Sequence, residues 1–198
     1  NPDGPYLGTQ IGIRASDADG ITLSAPALDL IAGGGNDHKS LGVTTDLRFG
    51  RLRCQNASGS DKLALPMFFE AQHWNGAAFI RNADDSCSTV SSGDVSYSGY
   101  RNLLQAGEVG SPTVTPIAAG LGRLLLPKPA GGDGNYVGGL NVLFDLSTTG
   151  YGHLLGNWAS ADGDSVATTA YDDNPSCSAT FGLYGSQPRQ FIFYRENY

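Results

Sequence analysis

The sequence contains little positive charge. Lysine occurs at only three positions, Lys39, Lys62 and Lys128, and 12 lysine and arginine residues face 19 acidic ones, which gives a net charge of −7. Binding to nucleic acid needs clustered Lys and Arg side chains that displace counterions from the phosphate backbone. This composition therefore excludes nucleic acid as a partner.

Long apolar runs are also missing from the sequence. No segment approaches the roughly 18 consecutive apolar residues of a membrane-spanning helix, and none has the basic amphipathic pattern of a helix that lies on a membrane surface. We therefore predict no membrane insertion of this segment. The sequence starts without Met and without the apolar core of a signal peptide, so we expect the C-terminal fragment of a larger protein whose export signal lies upstream.

The chain has few of the residues and none of the motifs that hydrolases use. The only histidines are His38, His73 and His153, and a Ser or Cys triad requires one of them as its base. Gly-x-Ser-x-Gly, His-Glu-x-x-His, Walker and dinucleotide-binding motifs are all missing. We predict that the protein is not an enzyme. A hydrolase, in which Glu70 and Glu108 would act with aspartates of the turn sequences as a glycosidase pair, is the least favoured alternative.

Three cysteines, Cys54, Cys87 and Cys177, allow at most one internal disulfide. Their spacing matches no Cys/His zinc motif. Cys54 and Cys177 each lie in a segment with strand-like alternation, whereas Cys87 follows the turn sequence Asn82-Ala83-Asp84-Asp85. If a disulfide forms, we favour the pair Cys54 and Cys177. An odd count leaves the redox compartment open on this ground alone.

Short alternating segments dominate the rest of the chain. Glycine reaches 28 residues, and apolar side chains recur at every second position in segments such as Arg48–Cys54, Val95–Tyr100 and Val137–Leu146. Asn75-Gly76 is the favoured sequence of a two-residue hairpin turn. The pattern predicts an all-β protein, an antiparallel β-sandwich of immunoglobulin-like or jelly-roll-like type with little or no helix. We predict one domain over residues 1–198, with residues 1–46 as a candidate flanking sheet.

Paired aspartates occur on several turn-like sequences. Asp17 and Asp19 flank Ala18 before Gly20, and Asp84 and Asp85 are adjacent. Carboxylates so arranged are candidate Ca²⁺ ligands, although no full EF-hand loop follows and Asp is also a common turn residue for conformational reasons. We predict no obligatory cofactor, and Ca²⁺ is the one candidate metal.

Aromatic side chains on a β-sheet surface can stack on the faces of sugars. Trp158, Trp74 and Tyr151 are the candidate ligand-binding residues, and Trp158 is favoured because its neighbours are polar and include glycine. The alternative is that these rings fill the core of the sandwich or span its edge.

Seven segments of the sequence occur in a recognisable order: Asp17–Gly20, Arg48–Ala57, Leu65-Pro66, Trp74–Gly76, Asn82–Cys87, Ala179–Tyr184 and Ile192–Tyr198. In these segments the chain resembles the C-terminal domain of unknown function of MshQ-like proteins, which are encoded with the MSHA type IV pilus. The resemblance extends from about Leu7 to Tyr198. In that family, positions 54 and 177 are usually apolar, so two cysteines there are expected to form a pair.

The resemblance implies an exported, extracellular or cell-surface protein and supplies no catalytic residues. We therefore expect a non-enzymatic module for adhesion or assembly, whose partners are other domains of the same surface protein or pilus components. The alternative is a carbohydrate-binding β-sandwich that recognises glycans, with Ca²⁺ as a candidate aid.

Overall fold

The computed structural model describes residues 2–13, 39–132, 134–147, 150–158 and 170–182. Two segments that carry the family resemblance lie outside these ranges: the turn-like sequence Asp17–Gly20 and the terminal segment Ile192–Tyr198. The candidate calcium ligands Asp17 and Asp19 belong to the first of these segments.

Strands account for nearly all regular structure in the described ranges. The strands are β1 Tyr6–Ile13, β2 Lys39–Leu47, β3 Gly50–Cys54, β4 Ala57–Gly59, β5 Leu65–Trp74, β6 Phe79–Arg81, β7 Val95–Asn102, β8 Thr113–Ala118, β9 Leu121–Leu126, β10 Gly138–Phe144 and β11 Ser176–Phe181. Two short 3-10 turns, Ser92–Asp94 and Gly152–Leu154, are the helical elements of these ranges. No helix there is long and apolar enough to cross a membrane. The predicted all-β fold is confirmed.

The strands form two larger sheets and one smaller sheet. One larger sheet has the order β4-β11-β10-β7, and the other has the order β3-β5-β9-β8 with β6 paired to β5. Pairing is antiparallel between β5 and β9 and between β10 and β11, with Met67 opposite Leu124 and Leu140 opposite Ala179. The short strand β4 is an exception because it runs parallel to β11. Within the described ranges, the third sheet consists of β1 and β2.

The two larger sheets share one apolar core. Side chains alternate in each strand, so β5 buries Leu65, Met67, Phe69 and Ala71 while the residues between them point outward. The rings of Phe69 in β5 and Phe144 in β10 lie 5.3 Å apart and connect the layers. Each fully buried Leu, Met or Phe side chain of this core stabilises the folded protein by about 1.5–3 kcal/mol, because it is removed from water. This packing forms the predicted sandwich.

A disulfide also connects the two layers. Cys54 at the end of β3 is bonded to Cys177 in β11, with their Cα atoms 5.6 Å apart. The pairing is the one favoured from the sequence. Cys87 is a free thiol and is exposed.

The chain divides into two compact units, each of which we describe separately. The first contains the sandwich, formed by Gly50–Gln72 and residues from Arg81 onward. The second contains Pro2–Phe49 and His73–Ile80, and therefore includes the β1–β2 sheet and the turn between β5 and β6. The single domain expected over residues 1–198 stays a prediction.

The turn between β5 and β6 forms where Asn75-Gly76 predicts it, but its centre is one residue later. The backbone N–H of Asn75 donates to the carbonyl of Ala78 (3.0 Å), which places Gly76 and Ala77 at the tip. The Asn75 side-chain oxygen accepts the N–H groups of Ala77 and Ala78 at 2.9 and 2.8 Å. Gly76 has a φ of +99°, which favours glycine. Asn75 thus caps the turn from its start.

Candidate binding surface

The outward side of the five-stranded sheet combines apolar and charged side chains. We call it the outer face, and it is formed by Arg53, Phe68, Glu70, Leu121 and Arg123. Phe68 is 48% exposed although it lies between the fully buried Met67 and Phe69. Strand alternation causes this arrangement, because neighbouring side chains in a strand point to opposite sides of the sheet.

Strand pairing places the members of the outer face beside each other. Phe68 in β5 lies opposite Arg123 in β9, and Glu70 lies opposite Leu121. Gly122, between the two β9 residues, points inward, where a Cβ atom would overlap the Phe69 ring. The close approach of Phe69 to Gly122 therefore fixes the register that presents Phe68 and Arg123 outward.

A chain of hydrogen bonds runs across the same side of the sheet. Glu70 accepts from the side-chain amide of Gln55 at 3.2 Å through Oε1 and from that of Gln72 at 3.1 Å through Oε2. Arg51 Nε donates to Gln72 Oε1 at 2.9 Å. Both oxygens of Glu70 therefore have partners, and the carboxylate is held in one orientation.

Trp158 lies at the Arg51 end of this chain. The Arg51 guanidinium is 4.7 Å from the centre of the indole, within cation–π range. The backbone N–H of Trp158 donates to the Asp173 carboxylate at 2.6 Å, and the indole packs where a Cβ atom on Gly156 would overlap it. Burial of the guanidinium lowers the pKa of Arg51, while the nearby Tyr171 and Arg53 act on it in opposite directions. The face of Trp158 toward Arg51 is thus occupied by the protein itself.

The other two predicted aromatic residues are also half-buried and packed. The Trp74 ring meets the Phe79 ring edge-on at 5.3 Å, and its backbone N–H donates to the carbonyl of Phe49 at 2.8 Å. The Tyr151 hydroxyl is hydrogen-bonded to Thr89 Oγ1 at 2.7 Å, with the ring 5.9 Å from that of His153. Each of the two rings therefore has a partner within the protein, and their role in ligand binding stays a prediction.

Asp84 and Asp85, the predicted calcium ligands, have different surroundings. Asp84 is exposed, whereas Asp85 is buried and its Oδ1 accepts the backbone N–H groups of Cys87 at 3.2 Å and Ser88 at 3.0 Å. Burial alone would raise the pKa of Asp85, but its hydrogen bonds with Ser88 and Cys87 outweigh burial and lower the pKa.

Asp85 therefore caps a turn through its Oδ1 atom. Asp17 and Asp19 lie outside the described residues. In the part of the chain that the structure does describe, no three His, Cys, Asp or Glu side chains form a group that could hold a metal ion.

The other candidate carboxylate, Glu108, has a structural contact. It is buried, and its Oε2 accepts the backbone N–H of Gln105 at 2.8 Å. Sequence reasoning identified Glu70 and Glu108 as candidates but missed Phe68 and Arg123. Alternation along β5 was the available signal, since residues 65, 67 and 69 facing the core require residue 68 to face outward.

A family model described as DUF6701, fourth domain, matches residues 48–197. The matched region includes the whole sandwich described above, the outer face and both bonded cysteines. No curated protein and no solved structure matches the chain.

Proposed function

This chain belongs to the family described as DUF6701, fourth domain, and we propose that it is a non-enzymatic module of a larger exported surface protein that acts in adhesion or assembly through protein contacts. The ordinal in the family description supports the view that other domains precede it. The resemblance to MshQ-like proteins supports an association with a type IV pilus, as the finer form of the proposal.

The outer face is the observation that carries this proposal. It presents an exposed Phe68 directly opposite Arg123, with Glu70 and Leu121 as the adjacent pair. Aromatic and arginine side chains are enriched at the energetic centres of protein interfaces. Hydrogen bonds hold the carboxylate of Glu70, and strand pairing sets the backbone positions of the other residues of this face, which lowers the conformational entropy lost on binding.

The Cys54–Cys177 disulfide supports the exported location. Disulfides persist in oxidising environments and are rare in the cytosol. The buried carboxylates support a non-enzymatic role, because Asp85 and Glu108 accept backbone N–H groups and thereby stabilise turns.

Site-specific photo-cross-linking tests the proposal. A photoreactive amino acid at position 68 of the protein, displayed on intact cells, is expected to form an adduct with another protein that mass spectrometry identifies. The matched control places the same group at Leu63, which is also exposed but lies on the loop before β5. Equal adducts at both positions, or none at position 68, would contradict the proposal.

A glycan is the second candidate ligand of the outer face. The exposed ring of Phe68 lies opposite Arg123 and on the same strand as Glu70, and the polar groups of these two residues could bond to sugar hydroxyls. Reproducible binding of the purified chain on a glycan array, lost in Phe68→Ala and kept in Trp158→Ala, would favour the glycan. Turnover of generic ester or glycoside substrates would instead favour an enzyme.

A further inference from the structure

The five-stranded sheet is rich in positive charge although the chain as a whole is acidic. The chain has 12 lysine and arginine residues against 19 acidic ones, and its net charge is −7. The strands of this sheet nevertheless contain a single acidic residue, Glu70, and four arginines, Arg51, Arg53, Arg81 and Arg123. Positive charge is therefore concentrated in the sheet that carries the outer face.

Two of these arginines lie on the two strands that flank β5. Arg123 in β9 is opposite Phe68. Two hydrogen bonds show how β3 runs beside β5: the backbone N–H of Gln55 donates to the carbonyl of Phe68 at 2.9 Å, and Arg51 Nε donates to Gln72 Oε1 at 2.9 Å. The two strands are thus antiparallel, which places Arg53 opposite Glu70. Arg53 and Arg123 therefore lie on opposite sides of β5, with Phe68 between their strands.

The guanidinium groups of Arg53 and Arg123 are available to a partner. Both side chains are exposed, and neither has a hydrogen-bond or ion-pair partner among the residues that the structure describes. Glu70 does not neutralise them, because the side-chain amides of two glutamines occupy its two oxygens. The outer face therefore presents two unpaired positive charges around an exposed aromatic ring.

We propose that the outer face binds an acidic surface of another protein, whose Asp or Glu side chains pair with Arg53 and Arg123 around an apolar contact with Phe68. This inference rests on the proposed function, in which the outer face makes a protein contact. Guanidinium groups bind carboxylates through two parallel hydrogen bonds, and complementary charges orient two proteins as they meet. A partner without carboxylates would take both guanidinium groups out of water and leave them unpaired, which is costly.

Charge variants combined with the photo-cross-linker at position 68 test the chemistry of the partner. Arg53→Gln with Arg123→Gln is expected to lower the yield of the adduct at least about fivefold, because two charge pairs are lost. Arg53→Lys with Arg123→Lys keeps both charges and is expected to retain more of the yield than the glutamine variant. Mass spectrometry of the adduct is expected to find Asp or Glu in the partner segment that carries the cross-link.

A control variant separates the local contact from the effect of net charge. Arg101→Gln with Lys128→Gln also removes two positive charges from exposed side chains. Arg101 lies in β7 of the four-stranded sheet, and Lys128 lies in the loop after β9. This variant is expected to leave the yield of the adduct at position 68 unchanged.

The outcomes distinguish this inference from the proposed function. Absence of any adduct at position 68 would contradict the proposed function, and this inference with it. An adduct whose yield is the same in the glutamine variant and in the natural chain would overturn the inference alone, as would a cross-linked partner segment without acidic residues. An adduct between two copies of this chain would also overturn it, because that result assigns the outer face to self-association.

Discussion

Asp85 shows how one side chain determines a local structure. Its carboxylate accepts the N–H groups of Cys87 and Ser88, its own N–H donates to the Asn82 carbonyl at 3.0 Å, and its carbonyl accepts from Gly120 at 2.7 Å. The turn thus connects the segment after β6 with the turn before β9. Asp84, one position earlier, is exposed, so the two neighbouring aspartates have different roles.

Asp85→Ala is expected to lower the free energy of unfolding by about 1–3 kcal/mol, because it leaves buried N–H groups without an acceptor. Asp85→Asn keeps an acceptor oxygen and is expected to cost less. Urea unfolding at pH 7 measures both.

The pH dependence follows from the lowered pKa of Asp85 in the folded protein. A depressed pKa stabilises the fold above the unfolded-state pKa of about 3.9, and this stabilisation is lost as the pH falls through the folded-state pKa. The stability difference between the natural chain and Asp85→Asn should therefore shrink on acidification from pH 7 to pH 3. A difference that stays constant would contradict the charged-cap account.

At the scale of elements, the hairpin of β8 and β9 has an unusual turn. Ala118 pairs with Leu121, and the two residues between them, Ala119 and Gly120, have φ values of +50° and +76°. Two positive φ values define the turn type that matches the twist of β-hairpins and favours Asn-Gly. Ala119 is therefore strained, while Gly120 also approaches Asn82, whose backbone carbonyl a Cβ atom would overlap.

Ala119→Asn is expected to raise the free energy of unfolding by a few tenths to about 1 kcal/mol, because Asn tolerates this conformation better than Ala.

Gly120→Ala is expected to destabilise the protein by more than about 1 kcal/mol, on the order of the cost of strained backbone plus a steric clash. The control is Gly107→Ala, which has a similar φ of +89° but no neighbour within 4 Å. Thermal melting of the three variants should rank Ala119→Asn as the most stable and Gly120→Ala as the least stable. Equal losses for Gly120→Ala and Gly107→Ala would contradict the clash.

Alternation explains which elements could be predicted from the sequence. β3, β7 and β10 lie in segments with clear alternation of apolar residues, and the structure confirms these strands. β8 was missed because it contains Pro116 and its hairpin uses Ala-Gly in place of Asn-Gly. The packing of Trp158 was also not predictable, since Arg51 is distant in sequence and only the folded sheet brings the guanidinium to the ring.

At the scale of the whole molecule, the disulfide joins the two layers of the sandwich across a sequence separation of 123 residues. A long closed loop greatly restricts the unfolded chain. The bond links β3 to β11, which are the first and the last described strands of the sandwich unit in chain order.

Replacing Cys54 and Cys177 together by Ser is expected to lower the free energy of unfolding by about 2–5 kcal/mol. Cys87→Ser is the matched control, because this thiol is free and exposed, and it should leave stability nearly unchanged. Guanidinium unfolding of the three proteins measures the difference. A loss in Cys87→Ser as large as in the double variant would contradict the account.

The same bond determines how the molecule carries a mechanical load. Tension applied before residue 54 and after residue 177 passes through the sulfur atoms, so the polypeptide between them is shielded from the pull. When it unfolds, the intervening chain would release roughly 400 Å of contour length. In single-molecule stretching, this extension should appear only after a reductant is added. A sandwich bridged this way would not unravel under a pull, and the molecule would extend only as far as the segments outside the bridge allow.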